Sequence, residues 1–216
     1  MVFRNREEAA ILLERKLRDY EGRKDAIILA IPRGGVVVGH YISKHLKIPM
    51  DIIITKKIPH PENEEVAIGA VGADVAYIDK DALVEYGIPQ EYVDESVRET
   101  KNSIKFRYER YRKGTPQQKL TNKTVILIDD GIATGHTIIA AIKSIKKQKP
   151  KKIIIATPVG HPGTIKQLKK MVDEVVCLTT PDNFVAIGQF YSEFEQLNDQ
   201  QAMDYLKTSY VKNKKK

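Results

Sequence analysis

The chain has 216 residues, 42% hydrophobic and 30% charged, which suits a folded domain with a real core and excludes a disordered chain. Its net charge of +8 fits either a strongly anionic small substrate or nucleic acid, and charge alone does not separate the two. No apolar run approaches the ~20 residues of a membrane span, and the first residues, Met-Val-Phe-Arg-Asn-Arg, lack the apolar centre of a signal peptide, so a cytoplasmic location is expected.

Along the chain, Arg6 to Tyr20 carry Ala10, Leu13, Leu17 and Tyr20 at helical spacing. A short apolar run, Ala26–Ile31, predicts a buried strand, followed by a helix with Val38, Ile42 and Leu46 turned inward. Pro49 closes that unit, and a strand is expected over Asp51–Thr55. The polar run from Ile58 to Glu65, rich in Pro, Asn and Glu, reads as a mobile loop. Residues 67–71 and 75–78 read as a hairpin or bent strand around Gly72. Gln90 to Arg112 predict a long helix with Val93, Val97, Ile104, Tyr108 and Tyr111 on one side and Arg98, Lys101, Lys105 and Arg112 on the other. The strands Thr124–Ile128, Lys152–Thr157 and Glu174–Leu178 then alternate with helices after Thr137 and about Thr164–Met171. Such alternation predicts an α/β fold, a Rossmann-like parallel sheet with helices on both faces, plus a small C-terminal or hood region. The expected layout is a single domain over 1–211 and a basic, disordered tail over 212–216. Cys177, the one cysteine, lies in an apolar run and reads as a buried, inert thiol.

The most informative segment is Val125-Ile-Leu-Ile-Asp-Asp-Gly-Ile-Ala-Thr-Gly-His-Thr137. Two carboxylates, Asp129 and Asp130, stand where a buried strand ends, and a loop of small and hydroxyl residues opens a helix. The loop and the positive helix end offer N–H groups suited to a phosphate. Acids beside a phosphate nest make sense when the ligand also carries sugar hydroxyls or a divalent metal. Two other positions fall near the ends of expected strands, where parallel sheets gather ligands. They are Arg33-Gly34-Gly35 after Pro32, and Lys56-Lys57.

This segment resembles the signature of the type I phosphoribosyltransferases. The whole chain is similar to a little-characterised bacterial and archaeal branch with Pro-Arg-Gly-Gly and Asp-Asp-Gly-Ile-Ala-Thr-Gly motifs. The resemblance implies that Asp129 and Asp130 hold the ribose hydroxyls of phosphoribosyl pyrophosphate (PRPP). It implies that Ala133, Thr134, Gly135, His136 and Thr137 cradle the 5′-phosphate, and that Arg33, Gly34, Lys56 and Lys57 bind pyrophosphate beneath a closing loop. A cis peptide at Pro32–Arg33 belongs to the same pattern. Mg²⁺ would bridge pyrophosphate and ribose oxygens, with Asp129 and Asp130 reaching it only through those hydroxyls or water. Asp129, Asp130, Arg33 and Lys56 would then be the catalytic set. Long helices like Gln90–Arg112 often join dimers in this family, which implies a homodimer.

The stretch Thr180–Tyr191 resembles the end of the hypoxanthine–guanine enzymes, with Phe184 stacking on the base and the backbone near Val185 facing its edge. The same aromatics would serve equally well to close the sheet. Ala133 stands where those enzymes have an Asp that manages the base proton, and no Lys lies in Ala156–Gly160 to bind an oxo group. Both departures favour 6-amino bases at least as much as 6-oxo ones. The implied activity is transfer of ribose 5-phosphate from PRPP to a nitrogen nucleophile, with a nucleobase expected and purine favoured, releasing pyrophosphate. The alternative is a PRPP-sensing regulator that binds RNA or DNA.

Overall fold

The computed structural model describes residues 1–73, 75–113 and 116–213. In chain order its elements are α1 (Arg6–Glu14), β1 (Ala26–Ala30), α2 (Gly34–Leu46), β2 (Met50–Ile52), β3 (Lys56–His60), β4 (Asn63–Val71) and β5 (Ala76–Ile78). There follow α3 (Lys80–Glu85), α4 (Gln90–Arg112), β6 (Thr124–Ile128), α5 (His136–Lys147), β7 (Lys152–Val159), α6 (Pro162–Leu168), β8 (Glu174–Thr179) and α7 (Asp199–Asn213). They form two compact units, each discontinuous in sequence. The larger takes in Met1–Ile53, Gln117–Thr134 and the chain from Gln148 through α7; the smaller takes in Ile54–Pro116 and Gly135–Lys147. Among the described residues no helix is long and apolar enough to cross a membrane.

The larger unit is built on a five-stranded parallel sheet in the order β2-β1-β6-β7-β8. Every residue of β1 and of β6 is buried, so both faces of the sheet are covered, as the unbroken apolar runs require. Register aligns Ile52, Ala30, Ile128, Ala156 and Val176 in one row across the five strands. The chain leaves β1 toward one edge and later builds the other edge from β6 outward. The point where the order reverses therefore lies between β1 and β6, where ligands of open parallel sheets bind. Helix α1 starts where the sequence says it should: the Asn5 side chain accepts from the Glu8 N–H at 3.1 Å, and Glu7 and Glu8 occupy the positive end.

The smaller unit holds the antiparallel sheet β3-β4-β5 with α3, α4 and α5. Gly72 N–H donates to Val75 O at 2.7 Å, closing the expected hairpin, and α4 has its expected bounds. Three expectations are corrected here. The strand expected over Asp51–Thr55 is β2, ending at Ile52, so Lys56 and Lys57 open the next strand rather than follow one. The expected loop 58–65 is a hairpin, with Ile58 opposite Gly69 and His60 opposite Asn63. Its composition misleads because β3 is an edge strand: Pro59 sits at a register shift, where a missing N–H costs little. Of the disordered tail expected over 212–216, Lys212 and Asn213 instead complete α7, and residues 214–216 lie outside the described residues.

Helix α7 itself was not expected. Its start is nonetheless written in the sequence as a reciprocal cap: Asn198 Oδ1 accepts from Gln201 N–H and Gln201 Oε1 from Asn198 N–H, both at 2.9 Å.

Just beyond β1 the chain presses against the end of β6. A Cβ on Gly35 would lie 2.8 Å from Ile128 O and 2.9 Å from Asp129 Cα, both backbone atoms that cannot yield. Gly35→Ala should therefore cost about 1–3 kcal/mol by overpacking, read as a lower denaturation midpoint. Gly163→Ala, whose added carbon comes no closer than 3.3 Å to the His161 ring, should cost far less.

Candidate active site

Three segments of the larger unit converge on the switch point between β1 and β6. The first is Pro32-Arg33-Gly34-Gly35, which leads into α2; Arg33 is exposed, and its peptide bond to Pro32 is cis, as expected. No side chain caps the N-terminus of α2. The second is the acid pair. The third is the loop that follows it, where Ile132 adds a rung beside β7: its N–H donates to Val159 O at 2.9 Å, and its carbonyl accepts from His161 N–H at 2.8 Å. Thr164 Oγ1 then donates to Ala133 O at 2.7 Å, fixing the start of the small-residue loop.

The two acids are not equivalent. Asp130 is buried, and its Oδ2 accepts from Arg6 Nε at 2.7 Å, while its backbone carbonyl accepts from the Tyr191 hydroxyl at 2.6 Å. Burial, and then the neighbouring Asp130 charge, push the Tyr191 phenol well above its usual range. Asp129 is half-buried, and its Oδ1 accepts from the Asp130 N–H at 2.9 Å. Burial raises the Asp129 carboxyl well above the usual carboxylate range, and the charge of Asp130 raises it further. The two strand-end acids thus differ: Asp130 is an internal anchor, and Asp129 stands half-buried beside it.

The small-residue loop continues into the smaller unit. Thr134 is exposed, and Gly135 has a φ of 83°, a conformation that favours glycine. Gly135 O accepts from Ile139 N–H at 2.9 Å, opening α5. Thr137 O accepts from Thr55 Oγ1 at 3.2 Å. His136 is half-buried, with Nε2 3.8 Å from Asp79 Oδ2 and its ring 6.2 Å from that of Tyr77. Burial lowers its pKa; the Asp79 charge opposes that and the Lys57 charge adds to it. Lys56 and Lys57 are exposed at the start of β3, on a cleft of about 540 Å³ that Tyr92, Ser96 and Thr100 of α4 also line.

Phe184 lies in the larger unit, half-buried on the cluster of Phe3, Phe190 and Tyr191, with ring centroids 5.2 Å from Phe190 and 5.8 Å from His161. Val185 is exposed, but its N–H donates to Gln189 Oε1 at 3.1 Å, as the Ala186 N–H does at 3.0 Å. Gln189 Nε2 in turn donates to Asn183 O at 2.6 Å, so one side chain clamps the whole turn. Arg6, Tyr191, Thr164 and Gln189 are site residues that the sequence reading did not find. Only Gln189 acts locally enough to leave a trace in the chain; Arg6 meets its partner across 124 positions.

Among the described residues no group of three or more His, Cys, Asp or Glu side chains could cage a metal.

A parallel sheet with a glycine turn, an acid pair and a small-residue loop at its switch point belongs to the α/β proteins that bind ligands beyond the carboxyl ends of their strands. The model of the phosphoribosyl transferase domain matches residues 3–195, and the chain belongs to that family. It is 33% identical over 206 residues to a Mycobacterium tuberculosis protein whose name provisionally makes it a phosphoribosyl transferase, covering 95% of this chain and 46% of that one. The chain thus spans about half the length of that relative. A uracil phosphoribosyltransferase from Mycoplasma genitalium is 30% identical over 129 residues, 60% of this chain and 54% of its own. The crystal structure of TT1426 from Thermus thermophilus matches with a TM-score of 0.80 at 32% identity, covering 95% of this chain and 98% of that one.

The unequal acids generate opposite stability predictions. Asp130→Asn leaves the buried Arg6 without its counter-charge and should cost about 3–5 kcal/mol. Asp129 has a folded-state pKa above its unfolded one, so the folded form keeps a proton that the unfolded form has lost. Its contribution is therefore full at low pH and is lost as pH rises above the ordinary value of 3.8. Asp129→Asn should raise the melting temperature at pH 7, and the gain should vanish near pH 4. Melting curves of both variants against pH measure this.

Proposed function

We propose that the chain transfers the ribosyl 5-phosphate of PRPP to a ring nitrogen of a nucleobase, purine favoured, and releases pyrophosphate. The observation that carries the reading is the closure of Gly34 and Gly35 onto the acid pair at the switch point. This closure sets a bare backbone turn against the half-buried Asp129, with the exposed Arg33 directly preceding the two glycines.

In this reading the bond from C1′ to the pyrophosphate oxygen breaks, with the electron pair leaving on pyrophosphate. The C1′–N bond forms, and the proton of the acceptor nitrogen passes to solvent or to the released pyrophosphate. Positive charge develops on the sugar ring as the leaving group departs. Asp129 lies against the ribose hydroxyls and, once ionised, stabilises that charge, while Arg33 and the N–H groups opening α2 take the negative charge of pyrophosphate. The stretch Ala133–Thr137 holds the 5′-phosphate, with its hydroxyls and helix-end amides as donors. Mg²⁺, when bound, neutralises phosphate charge and stabilises the leaving group. The roles of Lys56 and Lys57 toward pyrophosphate, and a homodimeric state, rest on the family resemblance. Phe184 is assigned to the base because its ring stands at the outer edge of an aromatic cluster in the same unit.

The second reading, a PRPP-sensing regulator of RNA or DNA, draws on Ala133. An alanine does no acid–base work, and its carbonyl is already taken by Thr164. Pyrophosphate release from Mg-PRPP with adenine, hypoxanthine, guanine and uracil, beside a nucleic-acid shift assay at two salt concentrations, separates the two. Turnover with a base supports the transferase. PRPP binding without turnover, accompanied by a shift, supports the regulator.

Asp129→Asn should lower transfer by ~10²-fold, the scale of losing one preorganised electrostatic group, while leaving the protein at least as stable. Phe184→Ala should weaken acceptor binding by ~1–3 kcal/mol, the range for a stacked base, with PRPP binding nearly unchanged. Loss of PRPP affinity or of folding in that variant would return Phe184 to the core.

A further inference from the structure

Arg6 is buried on α1, and its contacts reach three separate parts of the larger unit. Its Nε donates to Asp130 Oδ2 at 2.7 Å, and its Nη1 donates to Glu195 O at 2.9 Å. The guanidinium lies 4.1 Å from the Phe194 ring centroid and 6.0 Å from that of Tyr191. Tyr191 closes the circuit by donating its hydroxyl to Asp130 O. A Cβ on Gly34 would collide with the Asp130 carboxylate and lie 2.9 Å from Arg6 Nε, so the turn after β1 rests on this pair.

A buried ion pair is a poor way to stabilise a fold, because well-packed apolar side chains do as well or better. It does define geometry, since neither charge can turn away without leaving the other unpaired. We propose that Arg6 is a positioning residue for PRPP. By holding Asp130, it sets the N–H that orients Asp129 and seats the Gly34 turn, so that Asp129 alone presents a carboxylate to the ribose. This inference rests on the phosphoribosyl reading and refines it, since the resemblance assigns both acids to the ribose hydroxyls.

The test compares wild type, Arg6→Lys and Arg6→Met by Mg-PRPP calorimetry and by kcat and KM for PRPP and for the acceptor. All three are assayed well below their melting temperatures, with folding checked by circular dichroism. If Asp130 contacted ribose directly, freeing it in Arg6→Met would keep or improve PRPP affinity. Positioning predicts the reverse: a KM for PRPP about 10- to 100-fold higher, the acceptor KM unchanged, and partial recovery in Arg6→Lys, which restores charge without the planar fork. An unchanged or lower KM for PRPP in folded Arg6→Met overturns the proposal, as does an equal rise in both KM values, which marks general loosening. Should Arg6→Met fail to fold, the same split in Arg6→Lys decides. No PRPP binding by the wild type would remove the phosphoribosyl reading and this inference together, an outcome distinct from loss in the variants alone.

Discussion

The organisation of the larger unit depends on how closely two backbone segments approach one another at the carboxyl edge of its sheet. The turn after β1 packs directly on the end of β6, and at Gly35 there is no room for one further carbon against Ile128 O and Asp129 Cα. Parallel register makes the approach possible, because Ala30 and Ile128 are paired, and both chains leave the sheet at the same level. Side chains that follow these two strands are then forced together whatever their chemistry. The sequence supplies a cation and two glycines on one chain and two carboxyls on the other. A fold constraint becomes a site in this way, without any further element.

That constraint was legible in the chain because its signals are local. Unbroken apolar runs mark β1 and β6, glycines mark the close turn, and an Asp pair at a strand end is conspicuous. Where several elements agree in order, as here, sheet type follows from connection rules. The bounds of α4 and β6 were legible for the same reason: each has a long or strongly patterned face. The hairpin β3–β4 was not. Pro, Asn and Glu are poor strand formers, and only their placement on an edge strand, invisible before the sheet is assembled, makes them compatible with it. Helix α7 buries Ala202, Met203 and Leu206 within otherwise polar sequence, so its periodicity is weak even though its cap is strong.

The site was legible in outline and not in its balance of charge. Asp129 and Asp130 are the same residue type at adjacent positions, and nothing in the chain distinguishes them. Position on the strand end does, because successive side chains point in opposite directions. One turns to Arg6 on α1 and the other does not. Long-range partners of this kind leave no spacing pattern, since the contact joins residues 124 positions apart. Phe184 illustrates a different limit. Its ring contacts are those of a core aromatic at the edge of its cluster, and an edge is also where a stacking surface is found, so burial alone serves both roles.

The inequality of the acids has a further consequence for how such a site is maintained. A carboxyl held half-buried beside a second carboxylate costs the fold stability near neutral pH, and a chain selected for stability alone would not keep it. Asp130 beside it is paired with Arg6 at 2.7 Å. Without Arg6, the buried Asp130 carboxylate would lose the cation that meets it at 2.7 Å. The ion pair is thus better understood as the support that allows one unfavourable carboxyl to stay where a ligand can use it. This also accounts for its construction: Arg6 Nε from α1 meets the Asp130 carboxylate, while from the segment after β8 the Phe194 ring lies against the guanidinium and the Tyr191 hydroxyl donates to the Asp130 carbonyl. Such a convergence restricts orientation far more than a salt bridge needs for stability alone.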